Sequence, residues 1–176
     1  GRIWVFSADA SGMYVDALTI DAPDHEELIG FGISCVVSGL RVIVGDSIGR
    51  VYVYTRGSVG YTLNDIIHTD DLRSGRLAAA GEYLYVGLDT VGASLGEASG
   101  VIQVYSWVGS EGTYELVDVI PPTAGSNVTL FGDSVVVDGD LLLTTSRASS
   151  GLLSIHTLTV AVKELTVIPE RMGGWE

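Results

Sequence analysis

A single cysteine, Cys35, rules out an internal disulfide framework in this 176-residue sequence. It falls in an apolar stretch, Ile33 to Val37, where a small core hydrophobe is expected rather than a nucleophile. Basic side chains are few: Lys163 is the only lysine, and the 9 basic residues face 22 acidic ones for a formal charge of −13. Nucleic-acid binding needs basic surface to displace counterions, so this composition excludes it, and docking on an anionic membrane is disfavoured likewise. Basic partners or cations such as calcium stay open, beside the plain reading of a surface kept soluble by its charge. No apolar run approaches the roughly 18 to 20 residues of a membrane helix, so no membrane insertion is expected. The chain starts at Gly1 without an initiator Met or signal-like segment. It reads as a mature product, an excised segment or part of something larger.

Hydrophobic residues make up 47% of the chain and charged residues 18%, enough to build a core. The 23 glycines follow no Gly-X-Y period and signal many turns, while prolines number only 4. Four segments share the pattern Gly-x-aliphatic-x-aliphatic-(aromatic or His): Gly1 to Phe6, Gly49 to Tyr54, Gly100 to Tyr105 and Gly151 to His156. Their glycines stand 48, 51 and 51 residues apart, an evenness that marks a repeat. Tyr14 to Ile20, Tyr61 to Ile67 and Tyr114 to Ile120 follow three of them; the fourth copy, near Val162 to Ile168, has no Tyr. Pro23, Pro121 and Pro169 come soon after, where a strand should end. Ahead of three of the glycines lies a hairpin, Phe31 to Asp46, Arg73 to Leu88 and Phe131 to Ser146, with Gly39, Gly81 or Gly139 at its turn. Asp138-Gly139 reads as a two-residue turn.

One unit is thus four short strands, A to D, in about 50 residues, and the chain reads C-D followed by three A-B-C-D units. The B strands (Val42-Ile43-Val44, Leu84-Tyr85-Val86, Leu141-Leu142-Leu143) are apolar throughout, so both of their faces must be covered. A two-layer sandwich leaves its outer faces wet, whereas radially stacked blades cover both sides of each inner sheet. The expected fold is all-β: a partial β-propeller of about three and a half four-stranded antiparallel blades, part of a ring of about seven. Its boundaries are a half blade at 1–30, blades at 31–72, 73–130 and 131–170, and a tail at 171–176. Residues 62–81 have local helical content that the repeat overrides, and Asp24 to Leu28 can form one helical turn.

These residues resemble FG-GAP repeats, the blades of integrin α-subunit propellers and of many secreted microbial proteins. Phe31-Gly32-Ile33-Ser34 and Phe131-Gly132-Asp133-Ser134 match the Phe-Gly-x-Ser opening. Val44-Gly45-Asp46 and Val86-Gly87-Leu88 match the second half imperfectly, and Thr144-Thr145-Ser146 does not match it. The resemblance implies an extracellular or surface-exposed protein, secreted, on a cell or on a virion, that binds a protein or glycan partner without being an enzyme. Integrin-like blades often carry an Asp-x-Asp-x-Asp-Gly calcium loop between strands B and C. Here Asp89 opens the longest such loop with only Glu97 beside it, and Asp46 stands alone, so no cofactor is expected and Asp89 is at most a weak calcium candidate.

Gly45-Asp46-Ser47-Ile48-Gly49 satisfies the nucleophile-elbow pattern, but a strand rather than a helix follows it, so a hairpin turn is expected. His25 and His68 read as exposed residues in inter-blade connections, and His156 as a packing residue in the aromatic slot. Asp70-Asp71 and Glu26-Glu27 read as solvated pairs, and Asn127-Val128-Thr129 as a glycosylation sequon. Binding is expected in the loops Asp21 to Gly30, Thr69 to Ser74, Asp89 to Ser99 and Pro121 to Thr129, with Asp24, Glu26, Glu27, Asp70, Asp71, Asp89 and Glu97 as candidates. The alternative is a structural subunit of a filament, capsid or tail, its half blade completed by another chain or by the rest of a larger propeller. A hydrolase or lyase with its site in a central channel is the third possibility.

Overall fold

Strands form wherever β-branched and aromatic residues alternate between glycines, as pleated, half-covered surfaces favour. A computed structural model describes residues 1–23, 30–69, 76–89, 100–122, 128–139, 141–148 and 153–159. Among these are thirteen strands and no helix. β1 (Arg2–Ala8) pairs with β2 (Tyr14–Asp21). β3 (Ser34–Ser38), β4 (Arg41–Gly45), β5 (Arg50–Arg56) and β6 (Tyr61–His68) form one antiparallel meander. β7 (Arg76–Ala80), β8 (Tyr83–Leu88), β9 (Val101–Val108) and β10 (Thr113–Ile120) form the next. β11 (Val128–Asp138), β12 (Leu141–Ala148) and β13 (Leu153–Thr159) form the last sheet. The strand expected near Val162 to Ile168 and the helical turn at Asp24 to Leu28 fall outside the described residues.

The β3–β4 and β7–β8 hairpins turn through two residues. Gly39 and Gly81 carry φ of 59° and 57°, which a side chain disfavours, while Leu40 and Glu82 after them do not have positive φ. In the third hairpin Asp138 still pairs with Leu141, so Asp138 closes β11 and the turn begins at Gly139 rather than at Asp138. His68 likewise differs from expectation: it closes β6 opposite Arg50, so it is the end of a strand and not a connection, although it is exposed. β11 also begins upstream of Phe131, at Val128, and a register shift between Thr129 and Ser134 accommodates Phe131-Gly132.

Each inner sheet gives one face to each neighbour. Leu84 and Val86 of β8 pack with Ile43, Val51 and Val53 of the preceding sheet. Tyr85, between them in sequence, packs the other way with Phe131, Val135 and Leu142 of the following sheet. The same split runs through β5, where Val51 and Val53 join one cluster while Tyr52 and Tyr54 join Val42, Val44 and Phe31 under the β1–β2 hairpin. Tyr52 and Val53 are both fully buried, so the sheet has no wet side at its centre. The A strands lie side by side: Ser34 Oγ of β3 accepts from the Leu77 N–H of β7, and Arg76 of β7 pairs with Asp133 of β11 at 3.0 Å.

This stacking explains the glycines and the Phe-Gly pair of the repeat. Phe31 is buried edge-on against Tyr52, centroids 5.3 Å apart. The Cβ that a side chain at Gly1 would add lies 2.5 Å from the Phe31 carbonyl oxygen, and at Gly100 it overlaps the Phe131 carbonyl. Gly32 and Gly132 share φ of 88° and 87°. Gly1 and Gly100, just ahead of β1 and β9, therefore seat the Phe-Gly corners at Phe31 and Phe131 of the following sheets.

Cys35 departs from the sequence reading. It is exposed rather than in the core, because among the described residues no further A strand covers its face of β3.

Candidate functional site

In an antiparallel meander the A–B and C–D turns leave at one edge, and the B–C and D–A connections at the other. The described ends at Asp21, Gly30, Thr69, Arg76, Asp89, Gly100, Ile120 and Val128 accordingly belong to one rim of the stack. All four candidate loops join these ends. Asp24, Glu26, Glu27, Asp70, Asp71, Glu97 and Asn127 lie outside the described residues, as does His25. Val128 and Thr129, counted with the fourth loop, belong instead to β11. Asp89 directly follows β8 and is half-buried.

The B–C turn of the first full blade shows what its Gly-x-Ser-x-Gly pattern does. Asp46 is completely buried, and its Oδ1 accepts from the Ile48 and Arg50 N–H groups at 3.0 and 2.9 Å. Oδ2 accepts from Arg50 Nε at 2.8 Å and from the Tyr52 hydroxyl at 3.1 Å. Ser47 packs under Gly30, where an added Cβ would stand 2.8 Å from the Ser47 Oγ. The Gly-x-Ser-x-Gly match is thus a turn wound around a carboxylate, and Asp46 spends its oxygens on this chain's own donors. Asp46→Asn keeps the shape but loses the charge that four donors address. Urea unfolding is expected to show a loss of about 2 kcal/mol, while an unchanged midpoint would contradict this role. Among the described residues no group of three His, Cys, Asp or Glu side chains is placed to hold a metal.

The opposite rim holds a cluster that sequence reading missed. Arg41, at the start of β4, is buried with its guanidinium 4.6 Å from the Trp107 ring and 5.6 Å from Tyr114. It donates to Glu82 Oε2 at 2.9 Å and to the Gly81 carbonyl at 3.0 Å. Asp65 Oδ2 accepts from the Tyr114 N–H at 3.0 Å. Two sheets are pinned together here.

Burial pushes the Tyr114 hydroxyl above its usual range, with Arg41 pulling the other way and Glu82 adding to the rise. Burial likewise raises Tyr85, reinforced by Tyr83. An acid raised on folding favours the fold below its unfolded value and loses that contribution as pH climbs through its folded one. Stability is therefore expected to hold up to about pH 10 and decline above it. Tyr85→Phe with Tyr114→Phe should flatten that decline in urea midpoints measured against pH; an unaltered decline would show that other groups cause it.

No protein-family model and no curated protein matches the sequence. Among solved structures, the chain is similar to a protein from Lactobacillus plantarum at TM-score 0.54 and 18% identity, over 94% of this chain and 49% of that one. The chain spans about half the length of that structure. The likeness is one of fold, and it agrees with the stacked sheets. The chain is built of β-propeller blades. A Bacteroides fragilis protein provisionally described as a 6-phosphogluconolactonase aligns at TM-score 0.39 and 12% identity over 90% of this chain and 65% of its own. The designed protein Ika4 aligns at TM-score 0.34 and 13% identity over 80% and 96% respectively. At those scores neither of the two bears on what this chain does.

Proposed function

We propose that the chain is a non-enzymatic recognition module, a propeller segment that holds a protein or glycan partner on the rim formed by its B–C and D–A connections. The single observation behind this is the convergence of the strand ends leading into all four candidate loops on one rim, set on sheets that glycine corners and buried aromatics hold rigid. In the sequence of the segments 21–30, 69–74, 89–99 and 121–129, Arg73 is the only Arg or Lys against Asp21, Asp24, Glu26, Glu27, Asp70, Asp71, Asp89 and Glu97. That balance favours a partner presenting basic or hydroxyl-rich groups. The FG-GAP resemblance supports a place outside the cell or on a surface, and the Asn127 sequon fits a secreted protein.

The chain is to be screened against a glycan array and a panel of immobilised extracellular proteins. Exchanging Asp24, Glu26, Glu27, Asp70 and Asp71 together for Ala is expected to abolish the hit, with stability changed by less than about 0.5 kcal/mol per site. Exchanging Asp9, Glu82 and Glu111 on the other rim should leave it intact. Loss of binding only through unfolding, or ester or glycoside hydrolysis that Ser47→Ala removes, would contradict the proposal.

A further inference from the structure

We infer that the open edge of β1, together with the adjoining face of β3, is a docking site for a two-stranded antiparallel β-hairpin of the A–B type that lies outside the described residues. Three C strands have a B strand beside them: β5 has β4, β9 has β8 and β13 has β12. β1 is a C strand by its sequence pattern, and by Gly1 seating Phe31 as Gly100 seats Phe131. Among the described residues it pairs with β2 alone, which leaves a row of backbone donors and acceptors along its other edge.

The neighbouring face shows what should lie there. A strands abut across blades, and on β7 the side chains turned to the preceding sheet, Leu77 and Ala79, are packed beneath β3. The residues of β3 at the same positions are Cys35 and Val37. Both are exposed, Val37 at 64%. Between β1 and β3 runs a cleft of about 510 Å³, lined by Ile3, Trp4, Val5, Phe6, Cys35 and Val37 among others. Trp4 and Phe6 stand 59% and 57% exposed on the two-stranded sheet. An arriving B strand would continue the hydrogen-bonded sheet beside β1, and its A strand would cover Cys35 and Val37, continuing the β3–β7–β11 stacking by one place. A second folded copy does not suit the site, because each of its own A–B hairpins is already built into a sheet.

The lone cysteine supplies the readout. Residues 131–150, which contain no cysteine and precede Gly151 in the repeat, are to be appended directly ahead of Gly1 of the full chain. The rate at which a disulfide reagent modifies Cys35 is expected to fall by about tenfold or more. Val136→Asp with Leu143→Asp in the appended copy, on the face meeting β3, should restore the original rate. A rate unchanged by the appended hairpin, or slowed equally by the doubly substituted one, would overturn the inference. If the extended chain aggregates, the peptide of residues 131–150 is added to the 176-residue chain instead, where saturable protection of Cys35 is expected and its absence overturns the inference. Sedimentation of the unextended chain as a dimer, with Cys35 protected until dilution, would also overturn it by making a second copy the occupant.

Discussion

Gly100→Ala is expected to cost about 3 to 5 kcal/mol, enough to unfold much of the protein at room temperature. Two costs combine. The residue sits at φ of 68°, where a β-carbon strains the backbone by about 1 to 2 kcal/mol. That carbon also overlaps the carbonyl of Phe131, which is buried and held by the next sheet, so relief requires separating two blades. Gly39→Ala gives the matched control, with φ of 59° and nothing within 4 Å of the added carbon. It should cost only about 1 kcal/mol. Urea unfolding of the pair separates backbone strain from blade packing, and equal losses would show that Gly100 has no seating role.

Arg41→Ala should cost about 3 kcal/mol, chiefly through the rings and the carbonyl rather than the acid. A desolvated guanidinium over aromatic faces is worth roughly 2 kcal/mol, and its hydrogen bond to the Gly81 carbonyl roughly 1 more. The Glu82 side chain is 62% exposed, so its pairing with Arg41 is screened and Glu82→Gln should cost under about 1 kcal/mol. Arg41→Lys keeps the charge but loses the flat stacking surface and the forked donors, and should fall between the two. A Glu82→Gln loss as large as that of Arg41→Ala would mean that the ion pair, not the rings, joins the sheets.

These two sites mark where the sequence could and could not be read. The spacing of Gly1, Gly49, Gly100 and Gly151 and the Phe-Gly pairs at 31 and 131 displays the blade repeat openly, because one packing requirement recurs where Gly1 meets Phe31 and Gly100 meets Phe131. The strand order follows from it, and so does the two-sided burial of β4, β5 and β8. Arg41 was not legible, since Trp107 and Tyr114 meet it only through the contact of neighbouring sheets, with no local pattern to announce the pairing. Cys35 misled for the opposite reason: its surroundings in sequence are apolar, yet the residue itself is exposed. Asp46 carries a pattern shared with catalytic turns, and only the four donors around it reveal a structural carboxylate. The rim candidates are acidic and fall in connections, which sequence shows; what they bind depends on surfaces that no repeat constrains.

Methyl and aromatic NOEs from β8 test the stacked-blade architecture most directly. Leu84 should show contacts to Ile43 and Val53, while Tyr85, its immediate neighbour, shows contacts to Phe131 and Leu142. Contacts from both residues to a single sheet, or water on one side of the strand, would contradict the account.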